Sequence, residues 1–157
     1  MNKIFMPISI DISGQKILII GGGKSAYKKL QLLQRFGADV EILALSICNE
    51  IIESKVPVHL QAYHKSFLKG YFMLYSCSNN ETLDRQILAD AKEAGVLVNI
   101  HDNPGLCEFV SPAIFKKGNI TVAVASNATD VYQSIKIRNI VGDYLIENYF
   151  NKHNYDV

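Results

Sequence analysis

The stretch KILIIGGGKSA, Lys16 to Ala26, decides the fold. Its first half, Lys16 to Ile20, is an apolar run rich in β-branched residues and without polar alternation, the pattern of a parallel strand buried on both faces. Gly21 ends that strand. From Ser25 onward Ala26, Leu30, Leu33 and Phe36 recur at helical spacing, until Gly37 supplies a left-handed stop. Asp39 to Leu45 (DVEILAL) reads as a second strand, so strand, glycine turn, helix and strand fall within about 30 residues, the length of a right-handed βαβ unit.

In that context Gly21, Gly23 and Ala26 match G-x-G-x-x-A, a dinucleotide-binding turn. Gly21 permits the tight turn, Gly23 lets the backbone approach a pyrophosphate, and Ala26 allows the helix to pack closely on the strand. The helix start then offers free N–H groups and a partial positive charge to the anion. The expected cofactor-binding residues are Gly21, Gly22, Gly23, Lys24, Ser25 and Ala26, with Ser46 after the second strand and Ser78 after a later one. Folds that grip the adenosine ribose usually carry an acid about 20 residues beyond the glycines. Leu43, Ala44, Leu45 and Ser46 stand there instead, while Asp39 and Glu41 come too early. Ribose recognition therefore falls to backbone groups or Ser46, and charge does not separate NAD from NADP.

Further along, Val56 to Ala62 reads as a short third strand and Tyr71 to Cys77 (YFMLYSC) as a buried one. Ser78, Asn79 and Asn80 offer N-cap oxygens to a helix carrying Leu83, Ile87, Ala91 and Ala94, stopped by Gly95, and Val96 to Ile100 is the next strand. Repeated βαβ units imply a Rossmann-like α/β fold, an open and mostly parallel sheet with helices on both faces. Past Asn103 and Pro104 come a segment Phe109 to Ile114, a turn at Lys116, Lys117 and Gly118, a strand Ile120 to Ala125, and a helix Val131 to Phe150. That helix is apolar around more than one face, which predicts dimerisation through it. The expected organisation is a nucleotide-binding domain over residues 1–112 and a small α+β dimerisation module over residues 113–157.

Composition sets outer bounds. With 157 residues, 48% hydrophobic and 20% charged, the chain can bury a core and is neither disordered nor fibrous. A net charge of +1 gives no global attraction to nucleic acid or anionic membrane. No apolar run approaches the roughly 20 residues of a membrane span. The opening Met1, Asn2, Lys3 lacks the pattern of a signal peptide, so a cytoplasmic location is expected. Cys48, Cys77 and Cys107 lack metal-ligand spacing, and neither a metal site nor a disulfide is expected.

One further block is specific. Val98, Asn99, Asp102, Pro104, Leu106, Cys107 and Phe109, then Pro112, Ala113, Gly118, Thr121, Val122 and Ala123, fit V-N-x-x-D-x-P-x-L-C-x-F followed by P-A-x-x-x-x-G-x-x-T-V-A, with Ser126 three residues further on, one place beyond the serine of the pattern. With the glycine turn, these residues make the chain resemble the precorrin-2 dehydrogenase family, the NAD-dependent dehydrogenase module of siroheme synthases, over roughly Pro7 to Tyr144. The resemblance implies oxidation of precorrin-2 to sirohydrochlorin with hydride passing to NAD, a homodimer, and Asp102 as the catalytic aspartate. A carboxylate at a strand end could take or orient the proton that leaves with the hydride. His101 adjoins it, but neighbours along a strand point opposite ways.

Lys24, Lys28, Lys29, Lys116, Lys117, Lys136 and Arg138 could gather against a polycarboxylate, although most lysines are solvated; Ser126, Asn127, Lys136 and Arg138 are the expected substrate contacts. Cys107 reads as packing. Two features depart from the family. The loop after Ser126 runs Asn127, Ala128, Thr129, Asp130, Val131 in place of glycines and S-P, and the chain ends at Val157, short of a further helical segment found in longer members. The second departure implies a truncated dimerisation module and argues against independent chelatase activity. Sirohydrochlorin ferrochelatase and a non-catalytic nucleotide- or tetrapyrrole-binding protein stay open as alternatives.

Overall fold

β1, Lys16–Ile20, is buried from its second residue onward and forms the centre of the sheet, as its unbroken apolar run requires. In the computed structural model, which describes residues 3–153, β1 is flanked by β2 (Asp39–Ala44) and β4 (Tyr71–Ser76). β3 (Val58–Leu60) and β5 (Leu97–Ile100) lie outside them, giving the order β3-β2-β1-β4-β5 with every pair parallel. The Rossmann-like fold expected from the sequence is the fold observed. The chain winds from β1 out to β3 and then returns to place β4 on the other side of β1. This reversal opens a crevice at the carboxyl ends of β1 and β4, where such sheets bind ligands.

α1 (Lys24–Gln34) buries Ala26, Leu30 and Leu33 against Ile17, Ile19, Val40, Ile42, Met73 and Tyr75. α3 (Glu81–Ala94) follows β4 and packs on β5. Between them lie two short elements invisible to periodicity, α2 (Asn49–Ser54) and a 3-10 turn at Lys65–Leu68. Each is anchored by one buried apolar residue, Ile51 and Leu68. β3 is shorter than the expected strand because it lies at an edge and is only half buried.

A buried carboxylate lies toward the amino-terminal side of the sheet. Glu41 of β2 accepts hydrogen bonds from Lys16 Nζ (2.6 Å) and Tyr71 OH (2.7 Å) and pairs with His59 Nε2 at 2.7 Å. The hydrogen bond with His59, then those from Lys16 and Tyr71, hold its carboxyl down to about 2. A depressed carboxyl stabilises the fold above its ordinary value near 4.5, and that contribution is lost as the pH falls toward about 2. With Lys16 half exposed, solvent screening reduces the effect, and Glu41→Gln is expected to cost about 1–2 kcal/mol at neutral pH. Urea unfolding across a pH series checks this: the gap between wild type and variant closes as acid protonates Glu41.

The described residues up to Ser9 and those from Val110 onward form a second compact unit, separate from Ile10–Phe109. Residues 154–157 of the expected module lie outside the described residues. β6 (Ala113–Lys117) pairs antiparallel with β7 (Ile120–Val124), and α4 (Val131–Leu145) packs on both. Lys116 and Lys117 belong to β6, so the turn falls one step later than expected, at Gly118 (φ +54°) and Asn119. α4 gives way to a π-helical turn at Ile146–Phe150, which carries the buried Phe150. Gly142 of α4 lets the Phe115 ring lie directly against the helix, since a β-carbon there would stand 2.6 Å from Phe115 Cδ2.

Candidate functional site

The glycine turn meets its neighbours tightly on one side and is open on the other. Gly21 has φ +117°, and a β-carbon on it would lie 2.5 Å from the carbonyl oxygen of Cys77. Gly22 is tighter still, because a β-carbon there would lie 1.9 Å from the Ser46 carbonyl oxygen; its own carbonyl accepts from Cys48 N at 2.8 Å. Above Gly23 nothing comes within 4 Å. Gly23 is the N-cap of α1, without a side-chain cap and without an acidic residue in the first turn. An uncapped helix start over an open glycine suits a diphosphate, so these residues fit an NAD(P) cofactor. Ala26 is fully buried under α1, in the packing role expected of it. Lys24 is exposed and Ser25 half buried at the same helix start.

The end of β4 connects this turn to the next. Cys77 N donates to Ile20 O (2.7 Å) and His101 N donates to Ser76 O (2.8 Å). Ser46 is exposed past the end of β2, its carbonyl against Gly22. The Ser78 hydroxyl is committed locally: it donates to Asp84 Oδ1 at 2.8 Å and accepts from Asn80 N at 3.0 Å. Of the three candidate caps for α3, Asn80 does the work, its side chain accepting from Leu83 N at 3.1 Å. Burial pushes the neighbouring Cys77 thiol up to about 11, so it stays protonated at neutral pH.

Asp102 stands at the tip of a turn directly after β5, with φ +57° and a side chain 87% exposed. That left-handed residue breaks strand alternation. The expectation that His101 and Asp102 point apart is therefore corrected: His101 Nε2 lies 3.4 Å from Asp102 Oδ2. The rest of the block folds back along β5 to hold this turn. Glu108 N donates to Val98 O (2.8 Å), Val98 N to Glu108 Oε2 (3.1 Å) and Asn99 Nδ2 to Phe109 O (2.9 Å). Buried Cys107 accepts from Ile100 N at 3.2 Å, and Phe109 packs edge-on to Tyr75.

Lys29 is not part of a solvated face. It is half buried, three residues after Ala26, with Nζ 5.1 Å from the centre of the Tyr75 ring. Burial lowers its pKa, and no carboxylate among the described residues lies within ion-pair distance. Its position on the flank of the apolar stripe of α1 was the available signal.

The expected substrate contacts belong to the second unit. Ser126 Oγ donates to Asp130 O (2.8 Å), and the Asn127 side chain accepts from Phe5 N (2.6 Å) and donates to Lys3 O (2.9 Å). Arg138 Nη1 donates to Ile114 O at 3.0 Å, while Lys136 is exposed. Losing the Arg138 tie is expected to cost about 1–2 kcal/mol in Arg138→Ala, readable by thermal unfolding, with Lys136→Ala neutral in the same assay. Among the described residues no group of three His, Cys, Asp or Glu side chains is placed to hold a metal.

A parallel sheet with a switch point between β1 and β4, and an open glycine turn at it, define a Rossmann-type dinucleotide-binding protein. The chain belongs to the putative NAD(P)-binding family, whose pattern matches residues 8–113. It is 35% identical over 125 residues to the siroheme synthase of Psychrobacter cryohalolentis, covering 77% of this chain and 24% of that protein. It is 30% identical over 126 residues to the siroheme synthase of Nitrosococcus oceani, covering 78% of this chain and 27% of that one. A probable multifunctional siroheme biosynthesis protein HemA of Ruminiclostridium josui is 31% identical over 134 residues, 83% of this chain and 26% of that protein. The chain thus spans about a quarter of the length of these curated relatives. Among solved structures, SirC, precorrin-2 dehydrogenase, shares the fold with a TM-score of 0.74 at 18% identity, over 88% of this chain and 70% of that one.

Proposed function

We propose that this chain is an NAD-dependent dehydrogenase that oxidises precorrin-2 to sirohydrochlorin. The observation that carries this reading is the shared support of two features. Ile20, directly before the glycine turn, and His101, directly before Asp102, are both bonded to the end of β4, through Cys77 and Ser76, so an exposed carboxylate is built onto the edge of the dinucleotide crevice. The siroheme synthase relatives supply the substrate class. NAD, when bound, supplies the acceptor for the hydride. Gly22 and Gly23 keep the cradle open for its diphosphate, and the start of α1 faces that charge with its N–H groups.

Oxidation removes a hydride and a proton from the tetrapyrrole. Asp102 takes the proton, since its carboxylate is exposed at the tip of its turn and reachable by a bulky substrate. His101 Nε2, 3.4 Å away, is placed to receive that proton or to orient the carboxylate. Lys136, exposed in the second unit, and Ser126, Asn127 and Arg138 are kept in this reading as contacts for substrate carboxylates. Tyr132, Ile140 and Tyr144 of α4 are exposed at 88%, 59% and 65%, an apolar face that supports a homodimer. Among the described residues no helix is long and apolar enough to cross a membrane, and a cytoplasmic location belongs to the same reading.

The test is anaerobic incubation of the purified chain with precorrin-2, with and without NAD. The sirohydrochlorin absorbance is expected only in the presence of NAD. NAD binding by calorimetry without any oxidation would instead establish a non-catalytic nucleotide-binding protein.

A further inference from the structure

Asp84 is a carboxylate on the buried face of a helix. It lies on α3 at helical spacing with Ile87 and Ala91, and all three are buried. Position for position an apolar side chain would serve the core better, because a buried carboxylate loses its hydration and requires donors in return. Asp84 has them: one oxygen, Oδ1, accepts from Ser76 Oγ at 2.6 Å and from Ser78 Oγ at 2.8 Å. Ser76 is the last residue of β4 and 1% exposed, and Ser78 opens the loop that follows. The carboxylate therefore grips both ends of a three-residue segment whose middle member is Cys77.

That segment bears the rest of the site. Cys77 N is bonded to Ile20 O, directly before the glycine turn, and the Cys77 carbonyl is the surface against which Gly21 is pressed. Ser76 O receives His101 N, directly before Asp102. We propose that Asp84 is the positioning residue of the dinucleotide crevice: by holding Ser76 and Ser78 it fixes the β4 end on which the glycine turn and the Asp102 turn both depend. This rests on the dinucleotide-binding part of the reading above and not on the identity of the substrate. Ser78 accordingly serves the cofactor through the loop it shapes, since its hydroxyl is bonded within that loop and to α3, at Asp84 Oδ1 (2.8 Å) and Asn80 O (3.3 Å).

The test is NAD affinity by calorimetry without tetrapyrrole, together with amide hydrogen exchange. Asp84→Ala is expected to weaken NAD about tenfold and to lower protection at the Cys77 and His101 amides. Asp84→Asn keeps an acceptor at Oδ1 and is expected to stay within about threefold of wild type. Ile87→Val, on the same buried face, is expected to lower the thermal midpoint and to leave NAD affinity unchanged. Unchanged affinity in Asp84→Ala, or equal weakening in Ile87→Val, overturns the proposal. Should Asp84→Ala fail to fold, Ser78→Ala decides, with about threefold weaker NAD expected and no change overturning it. A wild type that binds NAD but leaves precorrin-2 unoxidised overturns the dehydrogenase reading and not this one.

Discussion

On the proposed dehydrogenase reading, replacing Asp102 by alanine is expected to lower turnover of precorrin-2 by about 10²- to 10⁴-fold, the usual span of a lost general base, and to leave NAD affinity within about twofold. The two halves of that expectation come from different parts of the structure. Asp102 is exposed at the tip of its turn, so its removal leaves no buried partner unsatisfied and the fold stays intact. The turn itself is held from below by Cys107, Asn99 and Glu108, none of which contacts the Asp102 carboxylate through a hydrogen bond. Steady-state kinetics with a parallel calorimetric titration of NAD check the result. Undiminished turnover in the variant removes Asp102 from the mechanism. Because Asp102 has φ +57°, Asp102→Asn is the conservative companion: asparagine tolerates the left-handed backbone and deletes only the charge.

The second large effect separates adjacent glycines. Gly22→Ala forces a β-carbon to within 1.9 Å of the Ser46 carbonyl and 2.9 Å of Ile47 Cα, backbone on both counts, so the β2–α2 loop must move. Overpacking of this kind costs about 1–3 kcal/mol, and the displaced cradle is expected to lose NAD binding as well. Gly23→Ala meets open space and is expected to change stability by less than about 0.5 kcal/mol while weakening NAD by about tenfold or more, because the new methyl occupies the approach to the diphosphate. Thermal unfolding and calorimetry on the pair check this, and a stable Gly22→Ala that binds NAD normally would contradict the cradle as described.

The contrast shows where sequence reading succeeds. β1, its turn and α1 were legible because an unbroken apolar run, a glycine cluster and a helical stripe are local signals that agree. The weight carried by Gly22 was not, since the G-x-G-x-x-A pattern leaves that position free and the obstacle, Ser46 O, arrives from a loop more than 20 residues later in the chain. Asp84 shows the same limit from another side. Its spacing from Ile87 and Ala91 marked a polar residue on an apolar face, yet the two hydroxyls that justify it become neighbours only when α3 packs on the sheet. His101 and Asp102 were misjudged because strand alternation was extended two residues past β5, into a left-handed turn. In the second unit the hairpin was found but displaced, since Lys116 and Lys117 read as turn residues although their backbones pair with Thr121 and Ile120.

The site in the first unit thus combines an open glycine cradle, a strand end clamped by Asp84, and an exposed carboxylate raised on a rigid turn. Under the proposed function these features together serve the departure of a hydride and a proton from the same tetrapyrrole. The most direct test of that claim is the stoichiometry of a single anaerobic turnover, with NADH fluorescence and sirohydrochlorin absorbance followed together on the purified chain. Equal amounts of NADH and sirohydrochlorin, appearing at one rate, are predicted. Sirohydrochlorin formed without NADH, or NAD bound with neither product formed, would contradict it.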